Sequence, residues 1–239
     1  MNEDKAPQQA VFTSCMTRGE TIAVLLYLPI HLGLLPLLLL RLPETASLSE
    51  LQINTIIYTA GTLWMLLFAG RFLRRDFDPL CDHPAYCLLQ VLLGYGMMLA
   101  FNMLIAAFFQ FLLPEAGNPN NAAWAGEMES ELGKTAALAV FLAPLVEEPI
   151  FRGGIFSLFY KRNRGLAYAV SMLLFSLYHV WAYAILDPRN WVYLLQYLPA
   201  SWVLCRCYER CNSIWGSIFL HMSINGISVL AISAVQGMM

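Results

Sequence analysis

Seven apolar stretches of roughly 20 residues, joined by short polar links, restrict this chain to very few folds. They cover residues 22–40, 53–72, 85–113, 135–160, 166–183, 191–205 and 214–235. With 59% hydrophobic and 13% charged residues the sequence is too apolar for a soluble domain, where apolar usage runs about 45–50%. Backbone polar groups inside hydrocarbon need internal partners, which leaves helices as the spanning element. The expectation is an all-α, polytopic membrane bundle of about seven transmembrane helices, forming one domain over 1–239. The third and fourth stretches are long and the sixth is short, which tilt or an interfacial extension accommodates. No small-residue cleavage site closely follows the first stretch, so it reads as a retained helix.

Basic residues orient the chain. Of the 14 Lys and Arg residues, only Arg41, Lys134 and Arg189 fall on one set of alternating links, and Arg152 falls within a span. The rest, Lys5 among them, fall on the other set. The positive-inside rule then places the N-terminus in the cytoplasm. All six cysteines lie on or near that side, where thiols stay reduced, so no disulfide framework is expected. A net charge of −2 with scattered basic residues gives no footprint for nucleic acid. The link 114–134 carries Glu127, Glu129 and Glu131 and reads as an interfacial helix or a mobile cap.

Ionisable groups at membrane depth persist mainly when they pair, line a wet cavity or do chemistry. Three spans carry them here: Glu147, Glu148 and Arg152 in the fourth, His179 in the fifth, and His221 with Asn225 in the seventh. Counting about 1.5 Å per residue from one side, Glu147 and His179 lie ~21 Å deep, His221 ~14 Å and Asn225 ~20 Å, close enough in level to share a cavity. Glu148 and Arg152 are an i, i+4 pair in the favourable order, so Arg152 is assigned to Glu148, which leaves Glu147 without a local cation and free for chemistry. Pro144 and Pro149 bracket the pair and free backbone carbonyls that need partners inside the protein. Gly153 and Gly154 permit close helix approach. Phe175 stands one turn before His179. His31, near Pro29 and Pro36, has no comparable partners and is expected to lie apart, and His83 reads as a solvated loop residue.

At these residues the chain resembles the CPBP family, the CAAX protease and bacteriocin-processing family also called ABI. The motif E-E-x-x-x-R is matched by Glu147 to Arg152, F-x-x-x-H by Phe175 to His179, and H-x-x-x-N by His221 to Asn225. The resemblance implies an intramembrane glutamic-type endopeptidase with a catalytic core at about 135–235. In it Glu147 and His179 would activate water, and His221 with Asn225 would support the oxyanion. Glu148, Arg152 and Phe175 would be supporting residues, and no cofactor would be needed. It also implies membrane lipids and a protein or peptide substrate, prenylated or not, as partners, and a place in a bacterial inner membrane. A zinc-dependent metalloprotease using Glu147, His179 and His221 is the alternative, weakened by the absence of H-E-x-x-H and by asparagine being a poor zinc ligand. A non-catalytic immunity or binding protein of this fold would more readily lack motif residues, and none is missing. A transporter would carry internal repeats with matched helix interruptions, and only the interruption at Pro144 and Pro149 is visible.

Overall fold

A computed structural model of the chain describes residues 12–45, 47–113 and 117–236. Lys5, part of the charge asymmetry, and residues 114–116 of the acidic link lie outside these. Among the described residues all regular structure is helical. We number the main elements α1 (Arg18–Arg41), α2 (Glu50–Arg75), α3 (Pro84–Leu112), α4 (Pro119–Ala137), α5 (138–160), α6 (Arg164–Leu186), α7 (Leu194–Cys211) and α8 (Ile214–Gln236). Five of the seven expected spans are helices long and apolar enough to cross a bilayer: Arg18–Arg41, Glu50–Asp82, Pro84–Leu112, Arg164–Leu186 and Ile214–Ala234. The other two, α5 and α7, are helical as well, and their more polar faces are enclosed by the rest. The chain is an integral, multi-pass membrane protein.

Helix ends follow the sequence closely. Thr17 with Glu20, and Ser49 with Gln52, form reciprocal capping boxes at the starts of α1 and α2. These satisfy amide groups that would otherwise be orphaned. Asn163 caps α6 through the amide of Leu166. The acidic link is a helix rather than a loop: Asn118 caps α4 and Pro119 occupies its first turn, where a missing N–H is harmless.

Outer faces of the bundle are greasy and its interior is mixed. Leu67 on α2, Leu104 and Phe111 on α3 and Leu230 on α8 are exposed, as lipid-facing residues are. Phe72, Val146, Phe151, Phe156 and Tyr208 fill the centre, alongside the fully buried Arg152. At the centre runs α5, which touches α1, α2, α6, α7 and α8.

Much of α5 departs from regular α-helix. Leu138–Leu142 and Pro149–Phe156 are π-helical turns, on either side of Pro144 and Glu147. The freed or misaligned carbonyls find side-chain partners: Asn225 Nδ2 donates to Ala139 O at 2.8 Å, Ser171 Oγ to Phe151 O at 2.9 Å, and Ser157 Oγ to Gly153 O. Three donors thus compensate what the prolines and wide turns remove, as an apolar surrounding requires. A second interruption, not evident in the sequence, is the π-helical turn Ile30–Leu34 of α1, between Pro29 and Pro36.

Candidate active site

The two adjacent glutamates of α5 point into different surroundings. Glu148 is fully buried and pairs with Arg152, Nη1 to Oε1 at 3.1 Å. Arg152 reaches further, to Ser201 O at 3.3 Å and Ser201 Oγ at 3.1 Å on α7, and its guanidinium lies 4.3 Å from the centre of the Phe175 ring. Phe175 therefore has a physical task beyond packing. Its π face receives the buried cation, while its ring contacts those of His179 at 4.5 Å and His221 at 6.0 Å.

Glu147 faces the other way. Its Oε1 accepts a hydrogen bond from Tyr58 at 3.0 Å, and its Oε2 is buried without a hydrogen-bond partner among the described residues. That free oxygen lies 3.8 Å from His179 Nε2 and 3.9 Å from His221 Nε2. Both imidazoles are held from behind. His179 Nδ1 is 2.8 Å from Phe175 O, and because a carbonyl can only accept, Nδ1 carries a proton. His221 Nδ1 is 2.8 Å from Glu148 Oε1, a carboxylate already ion-paired with Arg152, so it too donates. These acceptors behind the rings turn both Nε2 atoms towards one oxygen.

Glu147, His179, His221 and Asn225 line one cavity of about 960 Å³, whose wall also includes residues of α1, α2 and α4. Asn225 has one amide proton committed to Ala139, which orients its side chain and leaves the second N–H. On the same wall, burial and then the nearby Glu50 push the Glu127 carboxyl up, with a hydrogen bond from Asn54 pulling against them. His179, His221 and Asn225 also border a second cavity of about 480 Å³ on the α3 side.

Some participants carry no motif. Tyr197 of α7 stacks on His179, with ring centres 4.5 Å apart and planes at 21°. Its hydroxyl accepts from Asn118 at 3.2 Å and Asn120 at 2.9 Å, residues at the start of α4. Tyr58 continues to Tyr178 at 2.7 Å, and Tyr178 to His31 at 2.7 Å. His31 thus belongs to the wall of this cavity, contrary to the expectation that it stands apart. The wide turn after Pro29 carries it there, and only its occurrence in an apolar span beside two prolines hinted at a role. His83 is exposed, as a loop residue would be.

No cluster of three or more His, Cys, Asp or Glu groups among the described residues is arranged to hold an ion. The 3.8 Å and 3.9 Å separations exceed the edge of about 3.3 Å of a tetrahedron built on zinc–ligand bonds of 2.0–2.1 Å. A water hydrogen-bonded to each group spans such gaps readily.

Residues 131–227, which hold all three motifs, match the family model "Type II CAAX prenyl endopeptidase Rce1-like". Two curated relatives come from Lactococcus lactis subsp. lactis (strain IL1403). UPF0177 protein YvdC is 22% identical over 179 residues, covering 72% of this chain and 64% of the relative. UPF0177 protein YajF is 31% identical over 118 residues, covering 48% of this chain and 52% of the relative. The chain thus spans between about half and two thirds of the length of these relatives. No solved structure gives a significant match. The family-model match and the positions of the motifs agree with the resemblance read from the sequence: residues 131–227 are similar to the Rce1-like type II CAAX prenyl endopeptidases.

Proposed function

We propose that the protein is an intramembrane endopeptidase that hydrolyses peptide bonds of membrane-associated or lipid-modified proteins and peptides, with Glu147 as the base. The observation that carries this reading is the convergence of Glu147 Oε2, unpartnered, with His179 Nε2 and His221 Nε2 on the wall of one large cavity. A water between Oε2 and His179 loses a proton to Glu147 as it attacks the carbonyl, and Glu147 returns that proton to the departing amine. The oxyanion role requires the imidazolium form of His221, with Nδ1–H on Glu148 Oε1 and a second proton on the Nε2 that stands 3.9 Å from Glu147 Oε2. Its Nε2–H, with the second N–H of Asn225, then faces the developing oxyanion.

Glu148, Arg152 and Phe175 hold this arrangement and do not touch substrate. The substrate is a protein or peptide reaching the cavity from the membrane, and the family name makes a prenylated C-a-a-X tail the first to test. The decisive experiment compares membranes carrying the wild type with membranes carrying Glu147→Gln, reading peptide termini by proteomics. New termini that depend on Glu147 are expected. Identical termini, together with no cleavage of quenched peptides by the purified chain, would refute the proposal.

The backing of both imidazoles by hydrogen-bond acceptors is also how zinc-binding histidines are oriented, and this favours a second reading in which His179, His221 and Glu147 hold zinc. Exhaustive chelation separates the two. Undiminished activity supports the metal-free base, and loss restored by stoichiometric zinc supports the other.

A further inference from the structure

Beyond the motif residues, the cavity wall holds a titratable group that the reaction described above does not use. His31 lies on the π-helical turn of α1, is 7% exposed, and has an Nδ1 with no partner among the described residues. Such wide turns frequently mark functional positions. The ring is fixed by contacts with Tyr27 at 5.6 Å, Tyr58 at 4.8 Å and Tyr178 at 5.7 Å. Its Nε2 begins an unbroken series of short contacts: 2.7 Å to the Tyr178 hydroxyl, 2.7 Å on to the Tyr58 hydroxyl, and 3.0 Å to Glu147 Oε1.

Proton counting gives this series a direction. A hydroxyl has one proton to donate. Tyr58 gives its proton to the Glu147 carboxylate, so it accepts from Tyr178. Tyr178, its own proton committed, accepts from His31, whose Nε2 therefore bears the ring proton and whose Nδ1 is bare. All the protons of the chain point at Glu147. This is the opposite tautomer to that of His179, whose Nδ1 must carry the proton facing Phe175 O.

We propose that His31 is a positioning residue for Glu147, acting through Tyr178 and Tyr58: by fixing the direction of the chain it keeps Oε1 as a hydrogen-bond acceptor and reserves Oε2 for the reaction. The proton taken from water lands on Oε2, the oxygen facing His179 and His221, and passes from there to the amine. None travels along the tyrosines, so the step balances without a further acid or base. The catalytic consequence rests on the hydrolytic reading above, whereas the proton direction does not.

The test uses the full chain, purified into lipid with isotope-labelled histidine. With only 4 histidines, each ring can be assigned by loss of its signal in a single variant such as His31→Gln. Nitrogen shifts are expected to show His31 protonated on Nε2. Tyr58→Phe removes no hydrogen bond made to His31, yet it frees Tyr178 to turn, so the His31 tautomer is expected to become mixed. A wild-type His31 protonated on Nδ1, or a tautomer unmoved by Tyr58→Phe, would overturn the proposal whatever the protein cleaves.

The kinetic arm uses a quenched farnesylated C-a-a-X peptide or, if that is not cut, a peptide spanning a Glu147-dependent site found by proteomics. His31→Phe is expected to lower kcat about tenfold with KM unchanged, the effect of about one oriented hydrogen bond. His31→Gln retains an amide donor for Tyr178 and is expected to recover most of the rate. An unchanged kcat in His31→Phe refutes the positioning role. A wild type that cleaves nothing, with the His31 tautomer as expected, refutes the hydrolytic reading and with it the catalytic consequence.

Discussion

Replacing Arg152 by methionine removes the only guanidinium in contact with Glu148 among the described residues and leaves that buried carboxylate with the His221 imidazole as its remaining polar neighbour. At 3.1 Å and an effective dielectric of about 20, the charge attraction amounts to about 5 kcal/mol. Breaking a buried pair by removing one partner typically costs about 3–5 kcal/mol, so the two routes agree. The bonds to Ser201 and the stacking on Phe175 disappear too, which places Arg152→Met towards the upper end. Arg152→Lys keeps the charge but not the fork that reaches both Glu148 and Ser201, and is expected to lose about half as much. The double variant Arg152→Met, Glu148→Met is the diagnostic one. Replacing a whole buried pair by apolar residues is often neutral, so the double variant should be more stable than Arg152→Met alone by at least about 2 kcal/mol. Unfolding free energies measured in lipid or detergent micelles, arranged as a double-mutant cycle, give these differences directly. Arg152→Met within about 0.5 kcal/mol of the wild type, or a double variant no better than the single, would refute the assignment of Arg152 to Glu148 as an energetic unit.

Two further outcomes follow from the geometry. Asn225→Ala should lose about 1 kcal/mol of stability with its bond to Ala139, and turnover should fall about 10²–10³-fold; turnover within tenfold of the wild type would make Asn225 a bracket for the wide turn and nothing more. A Cβ added at Gly61 would stand 2.8 Å from the Tyr27 ring and 2.9 Å from Val146, the residue before Glu147, so Gly61→Ala should destabilise by about 1–3 kcal/mol in a thermal-unfolding assay. Full stability would mean that α2 and α5 approach less closely than described.

Legibility of this molecule in its sequence followed the range of each interaction. Apolar length is local, so the spans could be read directly. Glu148 and Arg152 are one helical turn apart and were also readable, even though the backbone between them proved to be π-helical. The tyrosines were not. Tyr58 and Tyr178 sit in apolar helices where an aromatic ring ordinarily signals packing, and their hydroxyls gain meaning only from Glu147, 89 residues beyond Tyr58, and from His31, 147 residues before Tyr178. The π-helical turns depend on which distant donors, Asn225 and Ser171, reach their carbonyls. The helical form of α4 was only one of two expectations for an acidic link, although the Asn-Pro pair at its start carries a helix-start signal.

The stacking of Tyr197 on His179 ties the chemistry to the surface. Through its hydroxyl, Tyr197 is gripped by Asn118 and Asn120, so the plane of the His179 ring is set partly by the first residues of α4. A chain that threads into the cavity past α4 and displaces those amides would turn the ring as it arrives. On the proposed hydrolytic reading, filling of the cavity and aim of the imidazole are then one event, and substitutions at Asn118 or Asn120 should register in the turnover number more than in apparent affinity.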